Sequence, residues 1–168
     1  MIVAVWLTLA FVSGWDAVYT TLIPFMGANF IIQSYIVTNH WLRPHTVTNN
    51  PLENTLSLVV PTVIDRLHFR FSHHVEHHLL PGVGSDQLPE VRQWLQRECP
   101  GELALASHTQ ALKWLYQTPR TYRSAYELAR PEAPEKVFDL QKFGEYLKAP
   151  PQTRERASLE AFWSVRPQ

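Results

Sequence analysis

Charged residues are almost absent from the first 63 residues of this chain. Between Met1 and Val63 only Asp16, Arg43 and Glu53 are charged, and the other 27 of the 30 charged residues (15 basic and 15 acidic) follow Val63. This division predicts a membrane-embedded part followed by an aqueous part. The formal net charge is zero, so the composition gives no indication of nucleic-acid binding and we expect no nucleic-acid partner.

Two apolar stretches lie in the charge-poor part. Ile2–Ser13 would cover only about 18 Å as a helix, which is too short for a hydrocarbon layer of about 30 Å. Ala17–Val37 has no charged residue and is long enough to cross a bilayer, with Trp41 and Arg43 suited to the interface beyond it. A signal peptide or the buried helix of a soluble core are the alternatives, but no basic segment precedes the first stretch.

The remaining sequence predicts loops and helices, so the expected fold class is all-α. A second apolar piece, LSLVVPTVI, is interrupted by Pro61 and is expected at the membrane interface. The predicted helices are Asp65–Leu80, LPEVRQWLQRE, HTQALKWLYQ and VFDLQKFGEYLK. PEAPEK is expected to be a linker, and APPQTRERA is expected to be a mobile tail.

Histidines are concentrated just after the apolar part, where seven of the eight lie between His40 and His78. The box HHVEHH contains four of them, and on a helix His74, His77 and His78 would share a face, with His73 one turn from His77. Convergent neutral imidazoles bind iron, zinc or copper. The single cysteine, Cys99, excludes a cysteine-based metal site, so nitrogen and oxygen are the available ligands. The isolated histidines His45 and His108 are not expected to be ligands.

One motif in the box allows a different interpretation. His73-x-x-Glu76-His77 matches the inverted zinc-protease motif HxxEH, in which two histidines hold zinc and the glutamate is the general base. This interpretation leaves His40, His68, His74 and His78 without a role, and it gives no reason for a membrane segment.

A longer pattern resembles the C-terminal part of the membrane fatty acid desaturases. The segments SYIVTNHWLRP, DRLHFRFSHHVEHHLLP, LPEVRQWL and KWLYQTPRTY follow in one order between about Tyr35 and Tyr126, and the box has the form HxxHH followed by an apolar pair and proline. The resemblance implies two non-haem irons held by histidines from three boxes and one further histidine. It implies the metal ligands His40, His74, His77 and His78, and it leaves His68, His73 and Glu76 open between direct metal contact and a supporting position.

The resemblance also implies a function. A desaturase introduces a double bond into a fatty acyl chain with O2 as co-substrate, and the metal rather than a catalytic acid or base performs the hydrogen removal. The acyl group would be carried by a lipid, by coenzyme A or by a carrier protein. Because the sequence contains no fused electron carrier, the electrons would come from a separate ferredoxin-like, flavodoxin-like or cytochrome-like donor. The protein would be integral to the membrane, with the histidine box on the cytoplasmic side.

The chain departs from this family pattern in one respect, because the first two histidine boxes are absent. It starts inside what resembles the third transmembrane helix, which implies a transmembrane hairpin with a truncated first helix (1–37), a cytosolic helical cap with the histidine box (38–130), and a linker, short helix and mobile tail (131–168). A truncated gene, a mis-predicted start, a split enzyme and a non-catalytic membrane remnant are the alternatives. We expect the 168-residue chain to be inactive alone.

Overall fold

The computed structural model describes residues 2–149 and 158–166, and the chain divides into two compact units after Ser34. In the first unit, helix α1 (Ile2–Ser13) ends at Gly14, whose φ of 53° is a left-handed conformation that glycine adopts without steric cost. Helix α2 (Trp15–Ala17), one π-helical segment (Val18–Leu22) and helix α3 (Ile23–Trp41) follow as one helical run. By length and composition, Trp15–Trp41 is long and apolar enough to cross a membrane.

The second unit begins at Tyr35, within α3, and contains both helices and strands. Its elements are α4 (Pro51–Asn54), β1 (Ser57–Val59), α5 (Thr62–Leu67), α6 (His74–Leu79), a 3₁₀ turn (Ser85–Gln87), α7 (Leu88–Glu98), β2 (Leu105–Ser107), α8 (His108–Gln117), β3 (Thr121–Ser124), β4 (Glu127–Arg130), β5 (Ala133–Asp139), α9 (Leu140–Lys148), a 3₁₀ turn (Leu159–Phe162) and β6 (Trp163–Val165).

The strands form two sheets. β1 and β2 pair in parallel, with Leu58 opposite Ala106, and β3, β4, β5 and β6 form an antiparallel sheet in that order. The prediction of an all-α fold is therefore wrong. The strands are only three to seven residues long, so any alternation of polar and apolar residues in them is too short to distinguish them from loops. PEAPEK, expected to be a linker, lies in the turn before β5 and in β5 itself.

Two clusters of buried side chains support the second unit. The larger one includes Leu58 of β1, Phe138 of β5 and Phe143 of α9. The rings of Phe138 and Phe143 pack against each other and against the ring of Phe162. The smaller one joins Val75 of α6 to α7, to β2 and to Leu103 before β2. Burial of Val75, with the partly buried Leu79, is an apolar contribution that fixes the histidine-box helix to the fold.

The predicted single helix Asp65–Leu80 is divided into α5 and α6. Phe69 and Arg70 have φ values of 51° and 55°, a conformation that is unfavourable for residues with a Cβ and that interrupts a right-handed helix. The backbone N–H of Arg70 donates to the carbonyl of Asp65 at 2.8 Å, which closes the turn after α5. This break places His73 at the start of α6 rather than inside a longer helix. Residues 150–157 of the predicted mobile tail lie outside the described residues.

Candidate metal centre

Three histidines from two helices direct their ring nitrogens toward one point. His74 and His78 are one turn apart on α6, and His40 lies at the end of α3. Nε2 of His74 is 2.7 Å from Nε2 of His40 and 3.0 Å from Nε2 of His78. The three candidate ligand atoms all lie within 4.8 Å of one another. The fold therefore brings together one cluster of imidazoles from residues 34 positions apart in the chain.

The environment favours the neutral form of the His74 and His78 imidazoles. Burial, followed by the neighbouring rings of His40, His78 and His77, lowers the pKa of His74 to about 3, although the charge of Glu76 acts in the opposite direction. Burial and then His77 also lower the pKa of His78. A neutral imidazole keeps a lone pair on one nitrogen, which is the form that binds a metal ion.

A bound metal cation explains the close approach of the three imidazoles better than hydrogen bonds between them do. Each ring nitrogen carries either one hydrogen or one lone pair, so Nε2 of His74 satisfies only one of its two close partners by a hydrogen bond. A metal ion accepts lone pairs from all three nitrogens at once, and imidazole is a normal ligand of iron, zinc and copper. His40, His74 and His78 therefore fit a bound metal ion.

The other predicted site residues lie in different surroundings. His77 is exposed beside His78, with ring centroids 5.7 Å apart, and is outside the group of three. Nδ1 of His68 lies 3.2 Å from the hydroxyl oxygen of Tyr35. His73 is buried next to two carboxylates, with Nε2 at 3.3 Å from Oδ2 of Asp65 and Nδ1 at 3.5 Å from Oε1 of Glu76. The assignment of His77 as a ligand stays a prediction.

Glu76 is a fully buried carboxylate on the same short helix. Burial alone would raise its pKa, but the adjacent His73, then the charge and hydrogen bond of Arg92 and the hydroxyl of Ser57, lower that pKa to about 2. Ser57 also accepts a hydrogen bond from the backbone N–H of Val75 at 2.9 Å. Glu76 is thus an ionised group whose oxygens are already engaged by protein donors.

Sequence reasoning missed Arg92 and Ser57 as partners of the box. The signal for Arg92 was present in LPEVRQWL, because Leu88, Val91, Arg92 and Leu95 follow the spacing of one helical face. A charged residue in an otherwise apolar face indicates a buried partner. No local pattern pointed to Ser57, which reaches Glu76 only because β1 lies beside α6.

An open cavity of about 450 Å³ adjoins the cluster. His40 and His78 form part of its wall, and Tyr122 and the segment between Pro44 and Thr55 provide much of the rest. The lining consists largely of hydroxyl, amide and aromatic groups. Two of the three clustered histidines can therefore be reached from this side.

Comparison with known families agrees with the location of this cluster. The family model for fatty acid desaturases, described as "Fatty acid desaturase", matches residues 1–110, which is more than half of the chain and includes all the histidines of the predicted site. No curated protein and no solved structure matches the chain significantly. The extent of the family match and the histidines within it show that the chain belongs to the fatty acid desaturase family.

Proposed function

We propose that the chain is the C-terminal portion of a fatty acid desaturase that introduces a double bond into a fatty acyl chain with O2 at a histidine-ligated di-iron centre. The observation that carries this proposal is the convergence of His40, His74 and His78 within the region matched by the family. His77 is the fourth ligand that we assign to this chain. The remaining ligands would come from the first two histidine boxes of the family pattern, which are absent from the 168 residues of this chain.

The proposed reaction removes one hydrogen from each of two adjacent CH₂ groups. O2 is reduced to two molecules of water, with two electrons from the acyl chain and two electrons and two protons supplied from outside. Bound iron would supply the activation of O2, while the imidazoles hold the metal and the surrounding fold positions them. Glu76, which already pairs with Arg92, supports this arrangement from the far side of α6.

The partners and location follow from the same proposal. The substrate is a fatty acyl group on a lipid, on coenzyme A or on a carrier protein, and a separate ferredoxin-like, flavodoxin-like or cytochrome-like protein donates electrons. Trp15–Trp41 crosses the membrane, and the histidine box lies on its cytoplasmic side. The family assignment and the apolar helix support a membrane location for such chemistry.

The zinc-peptidase interpretation receives less support from the geometry. It requires His73 and His77 as a metal-binding pair with Glu76 free to act as a base. Among the described residues, however, the grouped ligands are His40, His74 and His78, and the Glu76 carboxylate pairs with Arg92. A non-catalytic remnant stays the alternative to an active desaturase, since it would retain the same cluster.

Metal binding tests the proposed site directly. We expect the full 168-residue chain in detergent to bind Co²⁺, used as a spectroscopic substitute for iron, and His74→Ala to lose the visible cobalt bands. His45→Ala is the matched control, because His45 is exposed and outside the cluster. Unchanged cobalt spectra in His74→Ala would contradict the proposal. Stoichiometric zinc with peptidase activity that Glu76→Gln abolishes would favour the peptidase instead.

Product analysis tests the desaturase activity. A di-iron centre needs more ligands than this chain offers, so we expect the chain alone to leave host fatty acids unchanged. The same chain extended upstream by an in-frame segment with two more histidine boxes should form unsaturated product. Fatty acid methyl esters from the two strains, each with a redox partner, provide the comparison. New product from the 168-residue chain alone would require a split enzyme or a different site.

A further inference from the structure

The Glu76 carboxylate lies away from the histidine cluster, on another side of α6. Glu76 is two residues from both His74 and His78, and side chains two positions apart on a helix do not face each other. Its side chain is fully buried. A buried charge destabilises a fold unless donors or an opposite charge pair with it. The groups that pair with Glu76 therefore control where α6 can lie.

Arg92 on α7 joins α6 to two neighbouring segments. Its Nε donates to Oε1 of Glu76, and its two terminal nitrogens donate to the carbonyl oxygens of Leu58 and Ser72, each at 3.2 Å. Leu58 belongs to β1, and Ser72 lies just before the box. One guanidinium thus connects the helix, the strand beside it and the segment from which the helix starts. A lysine ammonium is a single point of charge and cannot reproduce this fork of donors.

His73 continues the same network on the other side of the carboxylate. Its two ring nitrogens face Asp65 and Glu76, at 3.3 Å and 3.5 Å. Asp65 also accepts a hydrogen bond of 2.5 Å from the hydroxyl of Ser72 and pairs with Arg70 at 3.4 Å. Each ring nitrogen of His73 therefore lies within ion-pair distance of a carboxylate, although Nδ1 makes no hydrogen bond to the described residues, and His73 is outside the group of three histidines. His73 connects α5 to α6.

We propose that Arg92 and His73 are positioning residues of the metal centre, which act through Glu76 to hold α6 so that its two clustered histidines point toward the third. This inference rests on the proposed function, and it assigns His73 to support rather than to metal coordination. Removing a group that orients metal ligands typically weakens metal binding about 10- to 100-fold without removing a ligand.

Cobalt titration of the full chain tests the role of Arg92. We expect Arg92→Gln to weaken Co²⁺ binding about 10- to 100-fold while the cobalt bands keep the position they have in the unmodified chain. Arg92→Lys should recover only part of the affinity, because it restores the charge but not the fork of donors. Arg97→Gln is the matched control, since Arg97 is on the same helix and exposed. Equal affinity in Arg92→Gln and Arg97→Gln would overturn the assignment of Arg92.

A double variant tests whether Arg92 acts through Glu76. Glu76→Gln combined with Arg92→Gln should weaken cobalt binding by less than the product of the two single effects, because the pair is one interaction. Independent effects that multiply would contradict this connection. Thermal unfolding of each variant identifies any general loss of folding.

The spectrum of the bound cobalt distinguishes support from coordination at His73. His73→Gln should keep the cobalt bands of the unmodified chain with weaker binding, whereas His74→Gln should change or abolish them. Loss of the same bands in His73→Gln would make His73 a ligand and overturn our assignment.

Amide hydrogen exchange separates this inference from the proposed function. Arg92→Gln and His73→Gln should increase exchange in α6 without metal, while Arg97→Gln leaves it unchanged. If the unmodified chain binds no cobalt, the proposed function fails. The exchange result then tests by itself whether Arg92 and His73 hold α6 in place. Unchanged exchange in α6 in both variants would overturn the network even if the chain binds metal.

Discussion

Large hydrophobic side chains are mostly exposed among the described residues of the first unit, whereas the second unit buries a group of them in a core. Phe11 and Phe30 are 92% and 71% exposed, whereas Phe138 and Phe143 are fully buried among other aromatic rings. The second unit has its own core and is stabilised as a water-soluble protein is. The first unit has aromatic and aliphatic side chains on its surface, a pattern typical of a segment whose surroundings are also apolar.

The largest expected effect concerns the core of the second unit. Phe138→Ala should lower its free energy of unfolding by about 3–5 kcal/mol, because it removes a fully buried ring and leaves a cavity. Phe30→Ala is the matched control and should leave that free energy unchanged, since Phe30 belongs to the other unit. Amide hydrogen exchange in β5 measures the free energy of unfolding of the second unit in both variants. Equal effects of the two substitutions would contradict this contrast.

A charge placed in the first unit should oppose membrane insertion. Phe30→Lys should cost about 3 kcal/mol if this side chain faces lipid near the middle of the helix. A glycosylation-based insertion assay measures the inserted fraction. Val165→Lys, at a position 73% exposed in the second unit, should have no effect on insertion. Normal insertion of Phe30→Lys would show that its exposure does not correspond to lipid contact.

A smaller effect concerns Arg43, which is buried almost completely. Arg43 is 2% exposed and donates to the carbonyls of Leu52 and Glu53 at 2.9 Å, and burial lowers its pKa to about 10. A Cβ on Gly144 of α9 would lie 3.0 Å from a terminal nitrogen of this guanidinium, which its hydrogen bonds hold in place.

Gly144→Ala should therefore lower the free energy of unfolding by about 1 kcal/mol, because the crowding exceeds the gain in helix propensity. Gly84→Ala is the control, since its Cβ would meet no atom within 4 Å. Urea unfolding of both variants provides the measurement. A stabilised Gly144→Ala variant would mean that Arg43 moves aside at little cost.

Part of the site could be predicted from local spacing. His74 and His78 are four residues apart, so any helix through the box places them on one face, and the structure confirms that helix. The apolar run that became part of Trp15–Trp41 was also predictable, because length and composition are sequence properties. The family match confirmed the resemblance to desaturases, because the order of its motifs along the chain is also a sequence property.

Other features depended on contacts between distant segments. The sheet β3–β4–β5–β6 was missed because its short strands gain stability from pairing and from the core, not from their own sequence pattern. The single helix predicted from Asp65 to Leu80 was wrong because the turn at Phe69 and Arg70 is held by Asp65. His73 lies at the start of α6 one turn before His77, as the spacing predicted, and its ring has the carboxylates of Asp65 and Glu76 as neighbours.

The sequence by itself determined the apolar helix, the histidine box and the family, because each is encoded in residues that are close together in the chain. The resemblance already implied His40 as a ligand beside the box, but only the tertiary structure shows that its ring meets that of His74, which is 34 residues away in the chain. It also decided that Arg92 neutralises Glu76. The physical reason is that ligand convergence and pairing of buried charges depend on distances in space, which spacing along the chain does not specify.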